Sequence, residues 1–290
     1  MSRVQCVAVI GAGTMGHGIA QVAAMAGLST RVTDADERAL KTVYERIRTN
    51  LTGAVSRGKL TEAAADAAIA RIVAAPNVAD AVGDADLIIE AIVEDLQAKR
   101  DLFACLDEMT MASTILATNT SSLSVGRIAA ATKKPARVLG MHFFNPVHIM
   151  RLVELVVHPQ TDRDVLSSVR EVAIAMGKQP IVVQDTPGFA SSRLGVALGL
   201  EAMRMLEAGV ASAEDIDTAM ELGYGHPMGP LRVSDLVGLD VRLHIAEYLH
   251  RELKAPHFQP PDILRNKVRK GELGRKVGKG LYEWPKNQSS

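Results

Sequence analysis

Two titratable side chains stand in apolar runs where burial would ordinarily exclude them. His142 lies in VLGMHFF, residues 138–144, and Glu154 lies in RLVELVV, residues 151–157. A carboxylate buried without a partner is costly, so Glu154 needs one, and His142 is the group we pair with it. A carboxylate hydrogen-bonded to an imidazole orients the ring and stabilises its protonated form. Such a histidine can take a proton from a hydroxyl while hydride leaves the same carbon. In reverse it protonates a carbonyl oxygen as hydride arrives. A lone histidine in an apolar run also fits a satisfied core residue, and it is the glutamate that turns the reading toward acid/base chemistry. The other histidines, including His17, His148, His158 and His226, show no comparable pairing and read as structural or surface groups.

The hydride needs an acceptor, and the amino-terminal segment offers a place for one. The run VQCVAVI is followed by GAGTMG and then by IAQVAAMAG, which has helical character; STRVTD comes next and ends in Asp34. This is strand, glycine turn, helix, strand, acid. Gly11 permits the tight turn, Gly13 lets backbone approach a pyrophosphate, and Gly16 allows close helix–strand packing; Thr14 and Met15 complete the turn. The helix amino terminus supplies free N–H groups for phosphates. Asp34 would accept hydrogen bonds from ribose hydroxyls and repel a 2′-phosphate, which favours NAD over NADP. Arg31 and Arg38 are the counter-argument, since either could turn toward a phosphate. A glycine turn chosen only for packing is the bland alternative.

These groups must be carried by elements that bring them together. After Asp36, residues up to about 75 are polar and alanine-rich and read as helices. DLIIEAI is strand-like, residues 94–109 read as an amphipathic helix, and TILAT is a strand ending at NTSSL. A further helix is expected near 124–131, then the strands VLGMHFF and RLVELVV. Such alternation predicts an α/β fold, a mainly parallel Rossmann-like sheet covered by helices. Ligands in such sheets bind beyond the carboxyl ends of the strands. Asn119, Ser121, Ser122, His142 and Asn145 all lie at or just after such ends. Ser121 and Asn145 could therefore hold a reacting oxygen or the nicotinamide, although Ser121 also fits a helix N-cap. DTPGF is a breaker cluster, and from Ser191 onward almost only helical periodicity is seen, with Ser212 and Asp215 as a capping pair. We place the domain boundary between a sheet domain, residues 1–184, and an all-α domain, residues 185–290.

Bulk properties exclude other classes. The chain has 290 residues, more than one ordinary core fills. Its 33 basic and 33 acidic residues cancel, so no global field would hold nucleic acid or an anionic membrane. Aromatics are 3%, too few for base-stacking platforms. Cys6 and Cys105 form no CxxC or metal spacing and read as reduced thiols of a cytoplasmic protein, with no metal site. No apolar run approaches the roughly 20 residues a membrane helix needs. The first strand-like run begins at Val4, leaving no room for a signal peptide.

GAGTMG, EAIVED, NTSSL, HFFNP, RLVELV, DTPGF and HPMGP occur in this order. Together they closely resemble the L-3-hydroxyacyl-CoA dehydrogenase family, including the bacterial 3-hydroxybutyryl-CoA dehydrogenases, over nearly the whole chain. The resemblance implies NAD-dependent, reversible oxidation of an (S)-3-hydroxyacyl-CoA to the 3-oxoacyl-CoA. It implies a Rossmann-like domain and a helical C-terminal domain that forms a homodimer. It makes His142 the acid/base group, Glu154 its partner and Ser121 a contact of the substrate oxygen. It places Glu94, Lys99 and Asn145 around the nicotinamide; on their own, Glu94 and Lys99 read as a solvated helix start. The better-known members carry asparagine before the arginine that follows DTPGF, and here Ser192 stands there. Its hydroxyl is shorter, and water could bridge the gap to substrate. The departure keeps open a related dehydrogenase of a small hydroxy acid, such as carnitine or a sugar acid. A non-catalytic NAD-binding scaffold is the alternative from another class. For CoA, the basic stretch Ser56-Arg57-Gly58-Lys59 is the candidate, with Lys59 foremost; a solvated basic turn fits it equally. The ending RKVGKGLYEW reads as structural.

Overall fold

The computed structural model describes residues 4–285, and the chain divides into two units, Met1–Thr186 and Pro187–Ser290. The first unit is an eight-stranded sheet flanked by helices. Its strands are β1 (Cys6–Ile10), β2 (Ser29–Thr33), β3 (Ile72–Ala74), β4 (Leu87–Glu90), β5 (Ile115–Thr118), β6 (Val138–Phe143), β7 (Leu152–Val157) and β8 (Gln179–Gln184). Its helices are α1 (Gly16–Met25), α2 (Glu37–Ser56), α3 (Glu62–Ala70), α4 (Val78–Val82), α5 (Leu96–Met109), α6 (Val125–Ala129) and α7 (Arg163–Ala175). The strand order is β3-β2-β1-β4-β5-β6-β7-β8. Every neighbouring pair is parallel except β6 and β7.

The local sequence explains this order. Every residue of β1, β4, β5 and β6 is buried, as expected for parallel strands covered on both faces. Side-chain caps set most helix starts: Asp36 for α2, Thr61 for α3, Asp95 for α5 and Asp162 for α7. Two expectations are corrected. The stretch read as helical to about residue 75 ends in a strand, β3, an edge strand of three residues that is too short to show a period. The N-cap of α6 is Ser124, whose side chain accepts from the Arg127 N–H, so Ser121 is not a cap.

The second unit is helical: α8 (Ser191–Glu207), α9 (Ala213–Tyr224), α10 (Pro230–Val237), α11 (Leu239–Leu253) and α12 (Asp262–Arg269). Val196, Leu200, Met203, Leu231, Leu239 and Leu249 form its core. Ser212 caps α9 and exchanges a second hydrogen bond with the Asp215 carboxylate. Two buried aspartates clamp the chain's last described segment. Asp217 accepts from the Leu231 and Arg232 N–H groups and from the Tyr282 hydroxyl, each at 2.8–2.9 Å. Asp235 accepts from Leu281 N, Tyr282 N and Trp284 Nε1. Gly280 is required there, because a Cβ would stand 2.2 Å from an Asp235 oxygen. Within the segment RKVGKGLYEW, Leu281 and Tyr282 thus pack against the helical core.

Candidate active site

The glycine turn between β1 and α1 is shaped by two obstacles and one opening. Gly11 has φ +104°, and a Cβ there would stand 2.5 Å from the Ala91 carbonyl oxygen. A Cβ on Gly16 would stand 1.6 Å from the Gly11 oxygen. A Cβ on Gly13 would meet nothing within 4 Å. Gly13 therefore faces open space while its neighbours press on backbone. The amino terminus of α1 has no side-chain cap, which leaves its first N–H groups for an outside acceptor. Thr14 is exposed at this turn, and Met15 packs against the core.

Asp34 stands just beyond β2. Its Oδ2 accepts from the Ala12 N–H at 2.6 Å and its Oδ1 from the Asp36 N–H at 2.8 Å. The carboxylate is thereby fixed against the glycine turn with acceptor capacity remaining for a diol. Arg31 does not compete for a phosphate there, since its guanidinium is engaged by both oxygens of Asp84. Arg38 is exposed at the start of α2. Open cradle, uncapped helix and carboxylate fit a dinucleotide.

His142 and Glu154 meet by strand register. Antiparallel pairing sets His142 of β6 directly opposite Glu154 of β7. His142 Nδ1 lies 2.8 Å from Glu154 Oε2, and both residues are buried. The Phe144 ring stacks obliquely on the imidazole at 4.5 Å between centroids. With Nδ1 bound to the carboxylate, proton exchange at this ring falls to Nε2. Asn119, at the end of β5, accepts from the Phe143 N–H through its Oδ1 at 2.9 Å and so ties the two strand ends together. Asn145 is exposed just past β6.

A second carboxylate network stands at the ends of β4 and β5. Lys99 is not a solvated residue of a helix start: it is 1% exposed, with Nζ 2.5 Å from Glu90 and 3.4 Å from Glu94. Glu90 is fully buried and also accepts from the Ile92 N–H and the Thr118 hydroxyl. Glu94 Oε1 gathers the Thr120 hydroxyl at 2.7 Å and the Ser121 N–H at 2.9 Å, with the Ser121 hydroxyl at 3.2 Å. Burial alone would raise the Glu94 carboxyl, but the Lys99 ammonium and these donors outweigh it and hold the group below the usual carboxylate value. Glu90, Thr118 and Thr120 escaped the sequence reading. Glu90 carries the signal used for Glu154, a carboxylate in an apolar run.

The remaining candidates are dispersed. Lys59 is exposed in the turn after α2. Nearby, His148 is held below the ordinary histidine value by burial first and then by the charges of His17, Lys178 and Arg57, so Arg57 belongs to a basic cluster. Ser192 lies half-buried in the first turn of α8, in the helical unit. Among the described residues no metal-binding group of three side chains is found, and no helix is long and apolar enough to cross a membrane.

Comparison with known proteins matches the whole chain. The family model for the 3-hydroxyacyl-CoA dehydrogenase NAD binding domain covers residues 6–186, and that for the C-terminal domain covers residues 188–284. A 3-hydroxybutyryl-CoA dehydrogenase of Mycobacterium tuberculosis is 45% identical over 283 residues, spanning 97% of this chain and 99% of the relative. A probable 3-hydroxybutyryl-CoA dehydrogenase of Bacillus subtilis is 41% identical over 287 residues, spanning 99% and 100%. The crystal structure of (S)-3-hydroxybutyryl-CoA dehydrogenase PaaH1 from Ralstonia eutropha superposes with a TM-score of 0.94 at 38% identity, covering 98% of this chain and 100% of that one.

Proposed function

The chain belongs to the 3-hydroxyacyl-CoA dehydrogenase family, and from that premise we propose that it reversibly oxidises short-chain (S)-3-hydroxyacyl-CoA, such as 3-hydroxybutyryl-CoA, to 3-oxoacyl-CoA. The observation that carries the reading is the buried His142–Glu154 hydrogen bond of 2.8 Å at the carboxyl end of β6. When bound, NAD supplies the hydride acceptor. His142 Nε2 takes the proton of the 3-hydroxyl as the C3 hydride departs, and returns it to the carbonyl oxygen in the reverse direction. Glu154 holds the ring and offsets the charge that His142 gains. Gly11, Gly13, Thr14, Met15 and Gly16 cradle the pyrophosphate, and Asp34 takes the ribose hydroxyls. Asn119, Asn145, Glu94 and Lys99 position the nicotinamide end. Ser121 exchanges its bond to Glu94 for the substrate oxygen, and Ser192 supplies a further hydroxyl to the substrate. Lys59, with Arg57 beside it, meets the phosphates of CoA.

The helical unit carries exposed Leu194, Leu222, Tyr224, Leu236, Val237 and Val241, which supports a homodimer formed through it. The free thiols Cys6 and Cys105 support a reducing, cytoplasmic setting. The test is to mix purified protein with NADH and acetoacetyl-CoA and follow nicotinamide absorbance, with free acetoacetate as control. Rapid oxidation of NADH by the thioester alone is expected. Turnover of a free hydroxy acid instead would move the protein to the carnitine or sugar-acid relatives. NADH binding without any turnover would make it a scaffold.

A further inference from the structure

A cavity of about 340 Å³ opens on the sheet unit where the end of α1, the β6–β7 connection and the α7–β8 turn meet. Its charged lining is His148, Arg151 and Lys178, and no acidic residue lines it among those described. Lys178 is 8% exposed and donates to the carbonyls of Val147 and Met150, the latter at 2.9 Å. An ammonium has three N–H donors, so one remains. Burial is the sole cause acting on Lys178 and holds it below the ordinary lysine value, with no carboxylate to oppose it. The His148 ring is half-buried and the Arg151 guanidinium exposed. Neither side chain has a hydrogen-bond or ion-pair partner among the described residues.

The surroundings carry the same sign. The charges that act on His148 are His17 of α1, Lys178, and Arg57 at the end of α2, and no carboxylate is among them. Elsewhere surface cations meet acids, as Arg31 meets Asp84 and Lys276 meets Asp240. A cation at a helix carboxyl terminus also answers the helix dipole, and α1 and α7 both end here. Each terminus carries about half a negative charge, so together they offset about one unit. Lys178 and Arg151 supply two, and the cavity stays positive even with His148 neutral. Met25 and Ile149 line the same cavity and are 44% and 61% exposed, which gives the cationic floor an apolar rim.

We propose that this cavity binds a phosphate monoester, with Lys178, Arg151 and His148 on the phosphate oxygens and Met25 and Ile149 against the organic part. A phosphate monoester brings three acceptor oxygens and nearly two negative charges to three cations; a carboxylate brings two oxygens and one charge. Bonds of ammonium and guanidinium to phosphate are of the strong, charge-assisted kind. The volume lies at the lower end of the roughly 300–1,000 Å³ typical of small-molecule sites. None of these residues takes part in the proposed hydride transfer, so the site does not depend on that reading. The phosphate has two possible sources, the 3′-phosphate of CoA and a separate phosphorylated metabolite.

The experiment follows the histidine ring signals by NMR in isotope-labelled protein, with the His148 signal identified by its loss in H148Q. Inorganic phosphate and adenosine 3′,5′-bisphosphate are titrated at fixed pH, with chloride at equal ionic strength as control. A saturable shift of the His148 signal by both phosphates, and none by chloride, is expected. Calorimetry with the bisphosphate should show R151Q binding about tenfold more weakly than wild type, and R151Q with H148Q about 10²-fold. Both positions lie outside the core, so the variants should melt with wild type; Lys178 is left in place because it holds two backbone carbonyls. A His148 signal that moves no more with phosphate than with chloride would overturn the proposal. Bisphosphate affinity unchanged in the double variant would do the same. CoA and dephospho-CoA, which lacks the 3′-phosphate, then identify the source. Displacement of the bisphosphate by CoA alone assigns the site to CoA, and displacement by neither assigns it to a separate metabolite; either result keeps the site. Displacement by both in equal measure would reject the 3′-phosphate as occupant and overturn the monoester assignment. Absence of turnover on acetoacetyl-CoA with these shifts intact would reject the reaction and leave the phosphate site standing.

Discussion

Replacing Gly13 by alanine separates the cofactor cradle from the fold that carries it. The new methyl meets no protein atom within 4 Å, and Gly13 is not among the residues with positive φ. The change therefore introduces no strain, and reduced freedom of the unfolded chain should leave stability unchanged or raise it by about 0.4–1 kcal/mol. The same methyl enters the space where the backbone approaches a pyrophosphate. Displacing the phosphate from one backbone N–H forfeits a hydrogen bond to a charged group, worth about 1.5–3 kcal/mol. At about 1.4 kcal/mol per decade, NADH affinity should fall roughly 10–150-fold. Gly16→Ala is the contrast. Its methyl would stand 1.6 Å from a backbone oxygen, an obstacle that cannot rotate away. Overpacking of that kind costs about 1–3 kcal/mol or more, so its melting temperature should fall by several degrees. NADH fluorescence titration and thermal unfolding read the two effects separately. Gly13→Ala binding NADH within twofold of wild type would refute the cradle. A melting temperature lowered as far as that of Gly16→Ala would refute the claim that Gly13 faces open space.

Other outcomes test the remaining parts. His142→Ala should lower turnover by about 10²–10⁴-fold with NADH affinity nearly unchanged, and near-normal turnover would reject the assignment. Glu154→Gln should also lower turnover, since it keeps the shape and removes the charge; full activity would reduce the carboxylate to packing. Asp34→Ala should weaken NAD binding and narrow the preference over NADP; an unchanged cofactor ratio would count against the ribose role. It should also lower the melting temperature, because it frees the Ala12 N–H. Glu94 is held below its ordinary value in the fold, so its stabilising contribution is complete above that ordinary value and is lost as pH falls through the lowered one. Glu94→Gln should flatten the acid limb of the stability curve below about pH 5, and superimposable curves would contradict the network.

The parts of this fold that are legible in sequence are those where burial leaves a pattern. Strands covered on both faces read as apolar runs, so β1, β4, β5, β6 and β7 stand out. β8 begins Gln-Pro, and its apolar run is only Ile181-Val182-Val183, too short to show a period and exposed or half-buried in the fold. β3 is three residues long and sits at the other edge. The site divides in the same way. Gly11, Gly13 and Gly16 are legible because backbone conformation and close approach restrict residue type. Lys99 is not, because a lysine one turn into a helix looks solvated until Glu90 is placed opposite it. Ser121 and Ser124 are both hydroxyls in one turn, and only the path of the backbone decides that Ser124 caps α6.

The antiparallel pairing of β6 with β7 explains why the His142–Glu154 pair can form. β6 ends at Phe143 and β7 starts at Leu152, so eight residues carry the chain between them at the same end of the sheet. A parallel successor would begin at the opposite end, about 20 Å away for a six-residue strand, and a glutamate early in it would lie far from the ligand. Reversal instead brings the third residue of β7 beside the fifth of β6, at the carboxyl end where ligands bind. Register therefore decides whether the pair forms. A slip of one residue would turn Glu154 to the other face and set a valine or leucine against the imidazole. That slip would leave a fully buried carboxylate without His142, and breaking a buried pair costs about 3–5 kcal/mol. The pairing of His142 with Glu154 is thus also a strong local penalty against misregistered β6–β7 pairing.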